Sequence, residues 1–182
     1  MKYCLSSRQK HEYLVKADEI RVEYRDRDII YDFSQKYPEA TFILVMPFNP
    51  EIAIDWNEIE KYKTVSQNKL ILCLNAISRD AQECRARDLK FYWGFPVGTF
   101  YELQALKKLG VCYAKLAAPA FFKMEAVKKI GVPVRATPNV AHQGYLPLGD
   151  GVCGTWIRPE DLDLYEEYVE TIEFEDADLK KE

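Results

Sequence analysis

Short apolar runs alternate with helix-like stretches at a nearly regular interval along the whole chain. An apolar run of strand length followed by an amphipathic stretch is the repeating unit of a parallel α/β fold. When that unit recurs from one end of a chain to the other, it is typical of a closed barrel with strands inside and helices outside. The runs begin near Lys2, Asp18, Thr41, Lys69, Phe91, Val111, Val132 and Val169.

The pattern predicts a compact (β/α)₈ barrel of the TIM type that spans residues 1–182 as a single domain, with no helix after the last strand. The chain is short for eight such units, so an open, doubly wound parallel sheet is the alternative fold. In both folds the carboxyl ends of the strands gather the functional residues at one edge.

Capping residues and glycines set the expected bounds of the helices. Ser78 is expected to cap the fourth helix, while Gly110 and Gly131 are expected to end two later ones. The longest predicted loop, residues 139–156, is rich in Gly and Pro, and the last strand is predicted at residues 169–175. The remaining helices are predicted at residues 8–16, 27–37, 56–65, 99–110, 121–131 and 157–168.

The composition and charge of the chain argue against nucleic-acid and membrane partners. Hydrophobic residues make up 48% of the chain, and the net charge is −4 with a pI of about 5.4. Binding to phosphate backbones needs concentrated Lys and Arg, so we expect no nucleic-acid partner. No apolar run approaches the roughly 20 residues of a membrane span, and the amino terminus lacks the apolar segment of a signal peptide. We therefore expect no membrane partner and a cytoplasmic location.

The five cysteines form no CxxC pair, so the zinc-ribbon and thioredoxin-type motifs are absent from the sequence. Cys4, Cys73 and Cys112 fall in predicted strands, where cysteine usually behaves as a small buried apolar residue. We accordingly expect neither a metal site nor a cofactor.

Alternation along the strands predicts which side chains face the barrel centre. In the second strand Ile20 and Val22 are expected to face the helices, which leaves Arg21 and Glu23 inward. The other expected inward charges are Lys115, Arg135, Glu173 and Glu175, and Asn75 ends the fourth strand. Mixed charges of this kind fit either an anionic or zwitterionic ligand or a self-neutralising network of salt bridges.

Lys115 and His142 carry side chains that could take part directly in catalysis. Lys115 lies in the sixth strand, and crowding by Arg135 together with desolvation would favour its neutral amine, which forms Schiff bases. Barrel lyases that resemble class I aldolases carry their lysine on that strand. His142 follows the seventh strand, where a histidine can act as an acid, a base or a ligand, and Asn139 lies beside it. No HExxH, GxSxG or P-loop motif is present.

The segment GTWIRPEDLDLYEEYVETIEFED, residues 154–176, resembles the end of the barrel domain in the peptidase U32 (collagenase-like) group. LGVCYAKLAAPAFF, residues 109–122, is similar to the sixth unit of that group. The resemblance implies a TIM-like barrel in a group that includes peptidases and RNA- or cofactor-modification proteins. Many members carry a cysteine cluster downstream of the barrel. The cysteines of this chain do not match that cluster, and no catalytic residue matches by motif.

Together these observations favour a small enzyme, or an enzyme-derived domain, that binds a small anionic or zwitterionic ligand at the carboxyl edge of the strands. A non-catalytic structural or interaction protein is the alternative, and a Schiff-base lyase is the second. The sequence leaves open whether the protein forms a homo-oligomer. The catalytic candidates are Lys115, His142 and Glu173, and the ligand-binding candidates are Glu23, Arg135, Asn75 and Asn139.

Overall fold

The computed structural model describes residues 3–116, 124–136 and 155–156. The chain divides into two compact units, one of residues 4–94 and one that contains residues 95–182. The expectation of a single domain over residues 1–182 stays a prediction.

A parallel sheet forms the first unit. Its strands pair in the order of the sequence, with β1 beside β2, β2 beside β3, β3 beside β4 and β4 beside β5. Consecutive parallel neighbours require a crossover between each pair, and helices supply it here. The strands are β1 (Tyr3–Ser6), β2 (Glu19–Glu23), β3 (Thr41–Val45), β4 (Leu70–Leu74) and β5 (Lys90–Trp93).

The helices of this unit follow the predicted order, and α3 also has the predicted bounds, whereas the bounds of the other three differ. They are α1 (His11–Leu14), α2 (Ile29–Lys36), α3 (Trp56–Val65) and α4 (Ile77–Ala86), with a 3₁₀ turn at Tyr24–Asp26. The α3 prediction is confirmed, and the Asp55 carboxylate caps that helix by accepting from the Glu58 amide. The Ser78 cap is wrong, because α4 already begins at Ile77, one residue before that serine.

One face of the sheet is apolar and buried. Leu5, Ile20, Phe42 and Leu70 lie in register across four strands, and each is at most 3% exposed. The next row on that face is formed by Val22, Leu44, Leu72 and Phe91, all of them buried. The alternation predicted for the second strand is therefore confirmed, since Ile20 and Val22 lie opposite Arg21 and Glu23.

The second unit contains α5 (Phe100–Leu109), β6 (Ala114–Leu116), α6 (Met124–Ile130), β7 (Val134–Ala136) and β8 (Thr155–Trp156). Thr99 and Glu102 form a reciprocal capping box at the start of α5, and Gly110 ends the helix with a φ of +89°. The bounds of this helix and its end at Gly110 match the sequence prediction, whereas the capping box was not predicted. β8 falls inside the segment predicted as a loop, and residues 169–175 lie outside the described ranges.

The fold is α/β, with a parallel sheet of five strands alternating with helices. Among the described residues the strand pairings do not close into a ring, so an open, doubly wound sheet is as compatible with them as a TIM barrel. Within the same ranges, no helix is both long and apolar enough to cross a membrane.

Candidate functional site

A row of dissimilar side chains crosses the face of the sheet opposite the apolar one. Register places Glu23, Val45, Cys73 and Tyr92 side by side at the carboxyl ends of β2 to β5. Cys73 and Tyr92 are buried, whereas Glu23 at the edge of the row is exposed. Burial raises the pKa of Tyr92 well above its ordinary value, and a hydrogen bond with Cys73 adds to the shift. Tyr92 therefore stays a neutral hydroxyl.

Arg21 lies on the same face of β2, two residues before Glu23. Burial acts to lower the pKa of Arg21, but attraction to Tyr92, Cys73, Cys4 and Glu23 outweighs it and the net pKa is raised. The guanidinium therefore remains charged beside the polar row.

Asn75 follows β4 and forms a hydrogen bond across the carboxyl edge of the sheet. Its Nδ2 donates to the Met46 carbonyl at 2.8 Å, which joins the end of β4 to the end of β3. Its Oδ1 lies toward Gly94, where an added Cβ would come within 2.6 Å of that oxygen. Asn75 therefore depends on the absence of a side chain at position 94.

A cavity of about 600 Å³ opens at the carboxyl ends of β2 and β3. Glu23, Arg25 and Asn49 bring a carboxylate, a guanidinium and an amide to its lining. Its apolar wall includes Phe48 and Ile52, whose side chains are 70% and 43% exposed. Exposed apolar groups beside charges of both signs are characteristic of a site for a small organic ligand.

A hydrogen-bonded network flanks this cavity. Arg27 Nε donates to Glu58 at 2.6 Å, Arg27 Nη1 donates to the Tyr24 carbonyl at 3.0 Å, and the guanidinium lies over the Tyr24 ring. Tyr62 donates to the second Glu58 oxygen at 2.8 Å. The hydrogen bond from Arg27 lowers the pKa of Glu58, and burial raises that of Tyr62 above its ordinary value. The network holds Arg27 in the cavity wall.

The second unit brings Lys115 and Arg135 together. They are register partners on the parallel strands β6 and β7, so their side chains lie on the same face of that sheet. Arg135 is 4% exposed, and its guanidinium carbon lies 3.7 Å from the centroid of the Tyr113 ring. This cation–π contact fixes a buried positive charge next to Lys115.

The predicted site residues therefore fall into three groups. Glu23 and Asn75 lie at the carboxyl edge of the first unit, and Lys115 and Arg135 are neighbours in the second. His142, Asn139 and Glu173 lie outside the described residues. Convergence of the whole set on one axis stays a prediction.

Sequence reasoning missed Arg25, Arg27 and Asn49, because no periodic signal marks residues in the turns that follow strands. Tyr92 could have been found, since strand alternation applied to β5 places it on the polar face.

The cysteines behave largely as expected. Cys4, Cys73 and Cys84 are buried, and burial raises the pKa of the Cys84 thiol to about 12. Cys112 differs from the prediction, because it precedes β6 and is only half-buried. Within the described ranges, no group of three or more His, Cys, Asp or Glu side chains is arranged to hold a metal ion.

No protein-family model and no curated protein matches this chain. Among solved structures, the chain is similar to a designed assembly described as a cube-shaped, highly porous protein cage made by fusing symmetric oligomeric domains. The TM-score is 0.51 at 10% sequence identity, and the match covers 87% of this chain. The chain spans 63% of the length of that protein. At this identity the likeness concerns the fold alone.

Proposed function

We propose that this protein is a TIM-type barrel domain that binds a small zwitterionic or anionic organic ligand at the carboxyl edge of its sheet. The observation that carries the proposal is the cavity beside β2, where Glu23 and Arg25 stand next to an exposed apolar wall. Arg21 lies two residues before Glu23 on the same face of β2 and outside the cavity lining, and its positive charge is compatible with an anionic ligand nearby.

Closure of the sheet into a barrel is part of the proposal, and the order of the strands is the feature that supports it. β1 to β5 follow one another without a reversal, whereas a doubly wound sheet reverses its strand order at a switch point. Right-handed crossovers in one direction place all the intervening helices on one face. The opposite face carries Cys4, Ile43, Cys73 and Tyr92, which are at most 3% exposed, as expected of side chains that fill a barrel interior.

The charges of the cavity indicate the ligand class. A carboxylate such as Glu23 binds an ammonium group, and a guanidinium such as Arg25 binds a carboxylate, so the two together fit an amino-acid-like zwitterion. Phe48 and Ile52 would then cover the apolar part of that ligand. The volume of about 600 Å³ lies within the range of sites that hold small organic molecules.

Calorimetry with a panel of free amino acids, short peptides and dicarboxylates tests this proposal. We expect at least one zwitterion to bind, and Glu23→Gln and Arg25→Gln each to weaken that binding about tenfold, because each removes a charge-assisted contact. Glu51→Gln and Arg85→Gln are the matched controls, since these exposed residues lie outside the cavity lining. Equal losses in the controls, or no binding of any panel member at millimolar concentration, would refute the proposal.

A Schiff-base lyase is the second candidate function, and the register of Lys115 with Arg135 favours it. A cation fixed on the neighbouring strand favours the neutral, nucleophilic amine of a lysine. If this function is right, borohydride in the presence of small aldehydes and ketones should trap an adduct on Lys115 that mass spectrometry locates. Lys115→Arg should abolish the adduct, whereas Lys90→Arg should not. Labelling spread over exposed lysines would count against the lyase.

Kinship with the peptidase U32 group is part of the proposal and rests on the motifs at residues 109–122 and 154–176. Peptidase activity is not proposed, because no catalytic residue of this chain matches by motif. A non-catalytic scaffold remains the alternative, and it predicts that none of the panel ligands binds. The cytoplasmic location stays a prediction, and the question of a homo-oligomer stays open.

A further inference from the structure

A second concave surface lies in the other unit, between α5 and α6. The cavity there has a volume of about 780 Å³. Phe100, Ala126 and Ile130 provide its apolar lining. The remaining lining residues are Gln104, Lys107, Lys108 and Lys129. We refer to these seven residues as the α5–α6 groove.

The charge of the α5–α6 groove is opposite to that of the protein. Its three lysines are exposed, and no Asp or Glu occurs among its lining residues in the described part of the chain. The whole chain carries a net charge of −4, whereas the described residues of this surface carry a positive charge. A surface with this distribution attracts an anionic partner and repels a cationic one.

We propose that the α5–α6 groove docks an acidic amphipathic helix of a partner protein. The apolar lining between two helices fits the apolar stripe of a third helix, which is a common mode of peptide recognition. Lysines around that lining then pair with carboxylates that flank the stripe. α5 has ten residues and is about 15 Å long, so two to three turns of the partner lie against it.

The combination of apolar side chains and lysines in the groove favours a protein helix over a nucleic acid as its partner. Proteins that hold single strands stack bases on exposed aromatic faces along a basic track. Among the described residues, the lining includes one aromatic side chain, the half-buried Phe100, while the strongly exposed Tyr101 lies outside it. Aliphatic side chains such as Ile130 suit leucine side chains rather than bases.

Fluorescence anisotropy with a labelled acidic helical peptide, which carries a leucine stripe flanked by glutamates, tests the proposal on the full chain. We expect saturable binding that weakens as salt is added, because the lysine contacts are exposed to solvent. Combined Lys107→Glu, Lys108→Glu and Lys129→Glu should weaken binding about tenfold or more. Combined Lys10→Glu, Lys16→Glu and Lys61→Glu, at exposed lysines of the first unit, should change it less than about twofold.

A test variant and a matched control variant, both on α5, probe the apolar part of the interaction. Phe100→Ala should weaken peptide binding about fivefold, because an aromatic anchor in a groove contributes much of the binding energy. Tyr101→Ala removes an 81% exposed ring from the same helix and should leave binding unchanged. Circular dichroism of each variant verifies that the fold is retained.

Three results would overturn the docking proposal. These are equal binding of a scrambled peptide of the same composition, an unchanged affinity after charge reversal, and tighter binding of a single-stranded oligonucleotide than of the peptide. Any of them would leave the ligand cavity at β2 untouched, because that cavity is tested with small molecules and with variants of the first unit.

Discussion

Gly94→Ala is expected to destabilise the protein by about 2–3 kcal/mol, because the new methyl group would overlap the side chain of Asn75. An added Cβ would lie 2.6 Å from Asn75 Oδ1, 3.0 Å from Cys73 Sγ and 3.3 Å from the Leu74 carbonyl oxygen. The Asn75 amide cannot withdraw freely, because its Nδ2 is bonded to the Met46 carbonyl. Denaturation by urea, followed by circular dichroism, measures the difference in unfolding free energy.

Gly98 is the matched control for this prediction. An added Cβ at Gly98 meets no atom within 4 Å, so Gly98→Ala should change the free energy of unfolding by less than about 0.5 kcal/mol. In an Asn75→Ala background, the penalty of Gly94→Ala should shrink, because the nearest clashing atom is gone. An equal penalty with and without Asn75 would contradict this account of the carboxyl edge.

Arg27→Met is expected to cost about 2 kcal/mol of unfolding free energy at neutral pH, because it leaves the half-buried Glu58 carboxylate without its cation. The substitution also removes the bond to the Tyr24 carbonyl and the contact with the Tyr24 ring. The side chains of Arg27 and Glu58 are 28% and 21% exposed, so solvent screens the pair only in part. Arg8→Met is the control, because the exposed pair Arg8–Asp26 should contribute less than about 0.5 kcal/mol.

The same ion pair makes stability depend on pH. The pKa of Glu58 is lowered in the folded state by its hydrogen bond from Arg27, so the stabilisation is complete above the unfolded pKa of 4.5. It is lost as the pH falls from that value through the lower pKa of the folded state. Urea denaturation from pH 7 to pH 3 should therefore show a smaller loss of stability for Glu58→Gln than for the native chain. Parallel losses in the two proteins would show that Glu58 does not contribute.

Local features of the chain were readable from the sequence. Strand alternation correctly placed Ile20 and Val22 opposite Arg21 and Glu23, because side chains of a strand alternate whatever surrounds them. Gly110 marked the end of α5, because a glycine readily adopts the positive φ that ends a helix. α1 was predicted too long, at residues 8–16, because helical propensity there gives way to turns after Leu14.

The candidate site was only partly predictable. Glu23 was expected at the carboxyl edge and lines the cavity there, but its neighbours Arg25 and Asn49 come from turns on two different connections. Lys115 and Arg135 were both expected inward, and the register of β6 with β7 places them side by side. Their alignment depends on hydrogen bonds between strands, which single-strand patterns do not encode.

By itself, the sequence determined the order of strands β1 to β7 and the helices between them, the alternation of polar and apolar side chains along β2, and the ends of helix α5, because those depend on neighbours along the chain. Only the tertiary structure decided that Gly94 accommodates Asn75, that Arg27 pairs with Glu58, and that three lysines border the α5–α6 groove. These features depend on distances between residues far apart in sequence, which are set by packing of the whole core rather than by any local propensity.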